Sequence, residues 1–159
     1  MKKLSLVIVV IFIFIILLNG YTVKASFQKD KFNEINQELL QALIMKRAEI
    51  MNKGLYNCDN IELVIDELKA IEKDIILEND ISVLKEAHSN PTDYPRVTNV
   101  RIKDIADIKV EDDMYELIAA IEWDISYNLE DSTEEYEYII QIDQHDSEYF
   151  LIDFRLKNE

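Results

Sequence analysis

Glycine is nearly absent from this chain. Gly20 and Gly54 are the only two, and Gly20 lies in an apolar leader. Phosphate-cradling loops and dinucleotide-binding turns need several glycines within a few residues, so that the backbone can approach the ligand. Both are ruled out. Cysteine is also scarce: Cys58 stands alone, and no disulfide can form within the chain. An exported domain without a bridge must rest on its core. Cys58 could act as a nucleophile or pair with another chain. Its only candidate bases, His88 and His145, are far off in sequence, and the burial habit of a lone cysteine favours a small packing residue. No HExxH, CxxC or nucleophile elbow is present. Positive charge is short as well. Lys and Arg number 17 against 32 Asp and Glu, for a net charge of −15. That field repels phosphate backbones and anionic headgroups, which disfavours nucleic acid as a partner. Cationic partners, metal ions and basic envelope polymers stay open.

What is present begins at the amino terminus. Lys2 and Lys3 precede Leu4–Leu18, which is apolar apart from Ser5, and Asn19-Gly20 breaks the run. Val23-Lys24-Ala25 puts small or β-branched residues at the positions a signal peptidase reads, so Ala25/Ser26 is the expected cleavage site. A spanning helix needs about 20 apolar residues, slightly more than this run supplies. A cleaved signal and a retained anchor are therefore both expected readings of residues 1–25. In either case the positive flank stays cytoplasmic and the rest crosses the membrane. The expected location is extracytoplasmic, secreted or anchored by residues 4–18, with no other contact with the membrane. No cysteine follows Ala25, so lipid anchoring as a lipoprotein is unavailable. Residues 26–159 are expected to form one acidic domain, helical over 27–90 and β over 96–157.

KFNEINQELLQALIMKRAEIMNKG predicts a helix. Phe32, Ile35, Leu39, Leu43 and Ile50 share a face, with Leu40, Ile44 and Met51 alongside. Gly54 is expected to end it in the left-handed position, with Leu55 covering Ile50. DNIELVIDELKAIEKD predicts a second helix, capped by Asp59 with Glu62 three residues on. Its stripe is Ile61, Val64, Ile65, Leu68 and Ile71. NDISVLKEAHS predicts a third, shorter helix with Ile81 and Leu84 inward. Pro91 and Pro95 then end helical structure.

Beyond Pro95 the period changes to two. VTNVRIKDIADIKV alternates imperfectly, and the shift between Ile102 and Ile105 predicts a bulge. Tyr115, Leu117, Ala119, Ile121, Trp123, Ile125 and Tyr127 alternate with mostly polar neighbours, the pattern of a strand with one buried face. NLEDSTE is read as a turn. Tyr136, Tyr138, Ile140 and Ile142 then line one side of a third strand, and Phe150, Ile152, Phe154 and Leu156 one side of a fourth.

Helices first and a meander after predict an α+β fold, with two or three helices packed on a curved four-stranded antiparallel sheet. That arrangement resembles the NTF2-like or cystatin-like cone. The stretches KRAEIMNKGLYN and SNPTDYPRV are similar to small exported or membrane-anchored proteins of unknown function from low-GC Gram-positive bacteria. The likeness spans most of the mature chain and carries no catalytic motif. The leading expectation is a non-enzymatic domain that binds an unidentified protein or envelope partner, with no cofactor. Two alternatives are a membrane-anchored scaffold subunit of a secretion or conjugation assembly, of the VirB8-like kind, and a cone-pocket carrier or enzyme.

Three groups of residues are the candidate sites. In a meander the first and third turns share one end of the sheet. Asp112 and Asp113, beside Glu111, would there approach Asp143, Asp146 and Glu148, a carboxylate set of the kind hard cations use. The spacing does not match a calcium loop, and charged hairpin turns explain it equally. Glu122 and Asp124 alternate on the wet face of the second strand, where paired carboxylates can run acid/base chemistry if one is desolvated. Trp123, Tyr115, Tyr127, Tyr136 and Tyr138 would line either a core or an apolar pocket. Glu130, Asp131, Glu134, Glu135 and Glu137 read as a solvated charged turn.

Overall fold

The computed structural model describes residues 37–56, 60–90, 94–128 and 130–158. The leader, the Ala25/Ser26 pair, Phe32, Ile35, Cys58, Asp59 and Pro91 lie outside the described residues. Among the described residues three helices come first: α1 (Gln37–Tyr56), α2 (Ile61–Lys69) and α3 (Asp74–Ser89). Four strands follow: β1 (Arg96–Glu111), β2 (Met114–Tyr127), β3 (Glu130–His145) and β4 (Glu148–Leu156). The strands lie in sequence order and pair antiparallel. The fold is α+β, three helices packed on an open four-stranded meander. No helix among the described residues is long and apolar enough to cross a membrane.

α1 is built from strong helix formers, and its core line is Leu40, Ile44 and Ala48, with Ile50 beyond. Leu39 and Leu43, predicted to face inward, are only half-buried. The stripe is turned because Arg47 also points into the protein. Gly54 does not end α1. The helix runs through it to Tyr56, and among the described residues no glycine has a left-handed backbone. Gly54 serves close packing instead: a Cβ there would sit 2.4 Å from Leu84 Cδ2 and 3.1 Å from Val64 Cγ1. Leu84 and Val64 belong to a buried cluster with Ile50 and Leu68. The described cap of α2 is Asn60, whose Oδ1 accepts from the Glu62 N–H at 3.1 Å.

The second predicted helix is cut short. α2 ends at Lys69, and α3 starts at Asp74, five residues before the predicted Asn79. No glycine or proline marks the break. Its cause lies in the sheet. Leu151 N–H donates to Ile71 O at 2.9 Å, and Lys73 N–H donates to Leu151 O at 2.9 Å. The link between α2 and α3 thus covers the outer edge of β4. The other edge is covered by side chains of α1. The Asn52 amide donates to Val97 O at 2.6 Å and accepts from Val97 N–H at 3.3 Å. Gln37 donates to Ile102 O at 2.6 Å, and Ile102 N–H donates to Gln41 at 3.3 Å. Unpaired edges template aggregation, and both outer edges are blunted in this way.

β1 slips register three times, once between Ile102 and Asp104 as its sequence pattern predicts. The inward row of β2 is buried from Tyr115 to Trp123, then opens until Tyr127 is 46 % exposed. β4 departs from its predicted pattern. A register shift pairs Gln141 with Asp153 but Ile142 with Leu151. The extra residue brings Leu151, fully buried, into line with Phe154, and leaves Phe150 opposite Asp143. NLEDSTE is mostly strand rather than turn, since β3 begins at Glu130.

With glycine so scarce, other residues take the left-handed backbone. Asp74, Asp107, Asp112, Asn128, Asp146 and Ser147 all have φ between 49° and 72°. Asp and Asn tolerate this region because their short polar side chains bond locally. Ser147 lacks that advantage, and with Asp146 it closes the two-residue β3–β4 turn. Ser147→Gly is expected to stabilise the fold by about 1 kcal/mol, read as a higher urea midpoint at unchanged slope. Gly54→Ala is expected to lower stability by about 1–3 kcal/mol, although alanine is the better helix former by roughly 1 kcal/mol. In a Leu84→Ala background, where the blocking methyl is gone, the same change should cost clearly less; equal costs in the two backgrounds would refute the packing account.

Candidate functional site

Two arginines organise the charged groups. Arg101 leaves the outer face of β1. Its Nη1 and Nη2 bind Asp124 Oδ2 and Oδ1 at 2.7 and 2.8 Å, and its Nε donates to Glu122. This is the fork geometry that makes arginine–carboxylate pairs strong. Asp124 also accepts from Thr133 Oγ1 at 2.9 Å and Asn99 Nδ2 at 3.1 Å. Arg101 first, then Thr133 and Asn99, hold the Asp124 carboxyl down at about 2. Arg101 likewise lowers Glu122. The two carboxylates singled out on β2 are therefore brought together, but both are kept ionised by one guanidinium. Beside them Lys109 Nζ binds Glu116 Oε1 at 2.8 Å, and Gln141 donates to Glu116 Oε2 at 3.0 Å. These contacts lower the Glu116 carboxyl, the Lys109 hydrogen bond most.

The two acidic turns do share one end of the sheet. Met114 lies opposite Asp143, and Gln144 N–H donates to Asp113 O at 2.9 Å. Asp143, however, binds Lys73 Nζ at 2.9 Å, and that ammonium sits 3.6 Å from the Phe150 ring centre. Asp112, Asp113, Asp146 and Glu148 are exposed. Among the described residues no three His, Cys, Asp or Glu side chains converge to hold a metal ion. His145 Nε2 lies 3.4 Å from Asp146 Oδ2, both at the surface. A hollow of about 460 Å³ opens beside this end, lined in part by Lys109, Asp112, Met114 and Glu116.

The aromatic residues divide. Tyr115 is buried, and its hydroxyl donates to Gln144 Oε1 at 2.7 Å. Tyr138 stacks on Phe154 at 4.5 Å, and Trp123 meets both edge-on at 5.8 and 6.1 Å. Tyr127 and Tyr136 stay exposed at the far end.

The second arginine was not legible as a site. Arg47 Nε and Nη2 donate to Asp80 Oδ2 and Oδ1 at 2.8 and 2.7 Å. Its Nε also lies 3.1 Å from Glu72 Oε1, and its guanidinium 5.2 Å from the Phe154 ring centre. Glu72 is fully buried and Asp80 nearly so. The contact to Glu72 is off the hydrogen-bond direction, and neither Glu72 oxygen has an aligned partner. Burial and then the charge of Asp80 push Glu72 up to about 8, against the opposing pull of Arg47. Burial beside Asp80 thus favours the protonated form of Glu72. The available signal was positional. Asp80 lies four residues from both Ile76 and Leu84, and Arg47 lies within the Leu40–Ile44–Met51 stripe.

No protein-family model matches the chain, and no curated protein is similar to it in sequence. Among solved structures it is similar to the intermembrane-space region of the chloroplast protein ARC6, with a TM-score of 0.48 and 10% identity. That match covers 76% of this chain and 95% of the other.

The buried trio has a pH signature. Glu72 binds its proton more tightly in the folded chain, at about 8 against an ordinary 4.5. Its contribution is fully present below about pH 4.5 and is lost as pH rises through about 8. Glu72→Gln mimics the protonated acid and should remove this slope. Relative to the wild type the variant is expected to gain about 1–3 kcal/mol between about pH 5 and pH 9. Urea melts at several pH values measure it; parallel curves for the two proteins would refute a proton on Glu72.

Proposed function

We propose that the chain is an exported, non-enzymatic domain that binds a partner at the cell surface. The observation that carries this reading is the β2–β3 hairpin. It runs past the end of β4 and presents eight successive exposed residues, Glu130–Glu137. Such a projecting, polar and partly aromatic strand is suited to contact rather than to catalysis. The state of the outer-face acids supports the same reading. Acid/base pairs work when their pKa values are pushed apart, and Glu122 and Asp124 are both pushed down. The apolar run over residues 4–18 supports an extracytoplasmic location. Three register shifts in β1 bend a strand, which supports an NTF2-like or cystatin-like cone as the finer description. A pocket carrier finds less support, since Leu40, Ile44, Leu68, Leu117, Ile121 and Ile140 fill the space between helices and sheet.

A VirB8-like scaffold would share the leader and the α+β body, and the fate of the leader separates the two readings. The test is to express the full chain in a low-GC Gram-positive host, separate medium, membrane and cytosol, and sequence the amino terminus. A new terminus at Ser26 in the medium is the expected result for a surface or secreted binder. An intact terminus held in the membrane favours the scaffold. Intact chain dissolved in the cytosol would overturn both.

A further inference from the structure

The strands differ in length, and the difference leaves main chain unpaired. β3 pairs with β2 along its whole course, from Glu130 opposite Tyr127 to Asp143 opposite Met114. Its pairing with β4 starts only at Tyr138, opposite Leu156. The last bond on that side runs from Lys157 N–H to Glu137 O at 2.9 Å. Main-chain groups alternate in direction along a strand. Since Glu137 points towards β4, so do Glu135, Thr133 and Asp131, and β4 has ended before it reaches them. Among the described residues no hydrogen bond is made to their N–H and C=O groups on that side. The outer side of β1 is engaged at Val97 and Ile102 and that of β4 at Leu151, whereas this stretch has no such partner among the described residues.

We infer that the open edge of β3, from Asp131 to Glu135, docks an extended Lys- or Arg-rich segment of a partner as an added strand. The geometry is that of strand addition, in which main-chain bonds give affinity and alternate side chains give selectivity. The charge decides the occupant. Glu130, Asp131 and Glu135 have no ion pair among the described residues; Lys157, just past β4, is engaged by Glu137, and Arg101 on β1 by Asp124 and Glu122. A second copy of this chain would bring the same carboxylates against these and be repelled. A basic strand would be attracted. On the helix side of the sheet, a hollow of about 430 Å³ adjoins the edge, lined by Ile125, Tyr127, Glu130, Ser132 and Glu134 together with Pro95. A lysine stem can lie along Ile125 and Tyr127 while its ammonium meets Glu130 or Glu134. The exposed rings of Tyr127 and Tyr136 add favourable faces for a cation.

This deepens the binding reading and rests on it for the compartment alone. Fractionation tests location and peptide docking tests the edge, so either can fail without the other. The probe is a peptide of about ten residues alternating Lys and Thr, the length of a long strand. It is added to the full chain in mild detergent at about 25 mM salt, where charge attraction is least screened. Amide exchange read residue by residue should slow at Asp131, Thr133 and Glu135. Glu135→Pro, which removes one outward N–H, should weaken binding at least about tenfold, and Glu135→Gln by no more than about threefold. The matching Glu–Thr peptide should not bind. No binding, binding without protection of those three amides, or equal affinity for the proline variant and the wild type would each overturn the inference. If Glu135→Pro lowers the melting temperature, exchange in the unmutated chain decides alone.

Discussion

Arg47 is the tie on which the helical layer depends. It leaves α1, grips Asp80 on α3, lies against Glu72 in the link from α2, and covers Phe154 on β4. Four elements meet at one guanidinium. Taking such ions out of water costs several kcal/mol each, and mutual attraction offsets the cost only with good geometry. The fork on Asp80 supplies that geometry, and burial beside Asp80 pushes Glu72 towards its uncharged form. An apolar stripe tolerates sliding and repacking. A bidentate pair fixes how α3 sits along α1, and it holds the link from α2 against the sheet.

From that tie follows the covering of the sheet. With Glu72 held inside, Ile71 and Lys73 are placed to bond Leu151, so one turn of link serves as a short parallel neighbour for β4. On the opposite side α1 offers the amides of Gln37, Gln41 and Asn52, whose spacing lets one helix face satisfy the main chain of β1 at two places. The helices therefore do more than cover the apolar face of a sheet. They also bond its outer sides, at Val97 and Ile102 of β1 and at Leu151 of β4, and the Gly54 contact draws α1 close to α2 and α3.

Much of this was legible in the residues. The order of helices and strands, the bulge after Ile102 and the inward row from Tyr115 to Trp123 follow directly from periodicity, because one face of each element is apolar. The misreadings have tertiary causes. Ile71 fits the stripe of α2, yet Leu151 claims its carbonyl, so the helix ends where no local residue ends it. Gly54 carries the mark of a helix stop, but the packed Leu84 is the reason for it. The β4 bulge exchanges Phe150 for Leu151 in the buried row, and nothing in EYFLIDFRL distinguishes the two registers. Arg47, Glu72 and Asp80 are charged types that read as surface until their partners are known. Glu122 and Asp124 were visible as a pair, but Arg101, which decides their state, lies on a neighbouring strand.

The acidic stretch of β3 has one more consequence. Like charge beside its open main chain opposes pairing with a second copy, and that safeguard depends on the net charge of the chain. Near the isoelectric point, about 4.5, the chain has no net charge and the repulsion between copies fades. Where the net charge vanishes, nothing electrostatic opposes pairing of this open stretch with its counterpart in a second copy, so such conditions favour assembly through the edge.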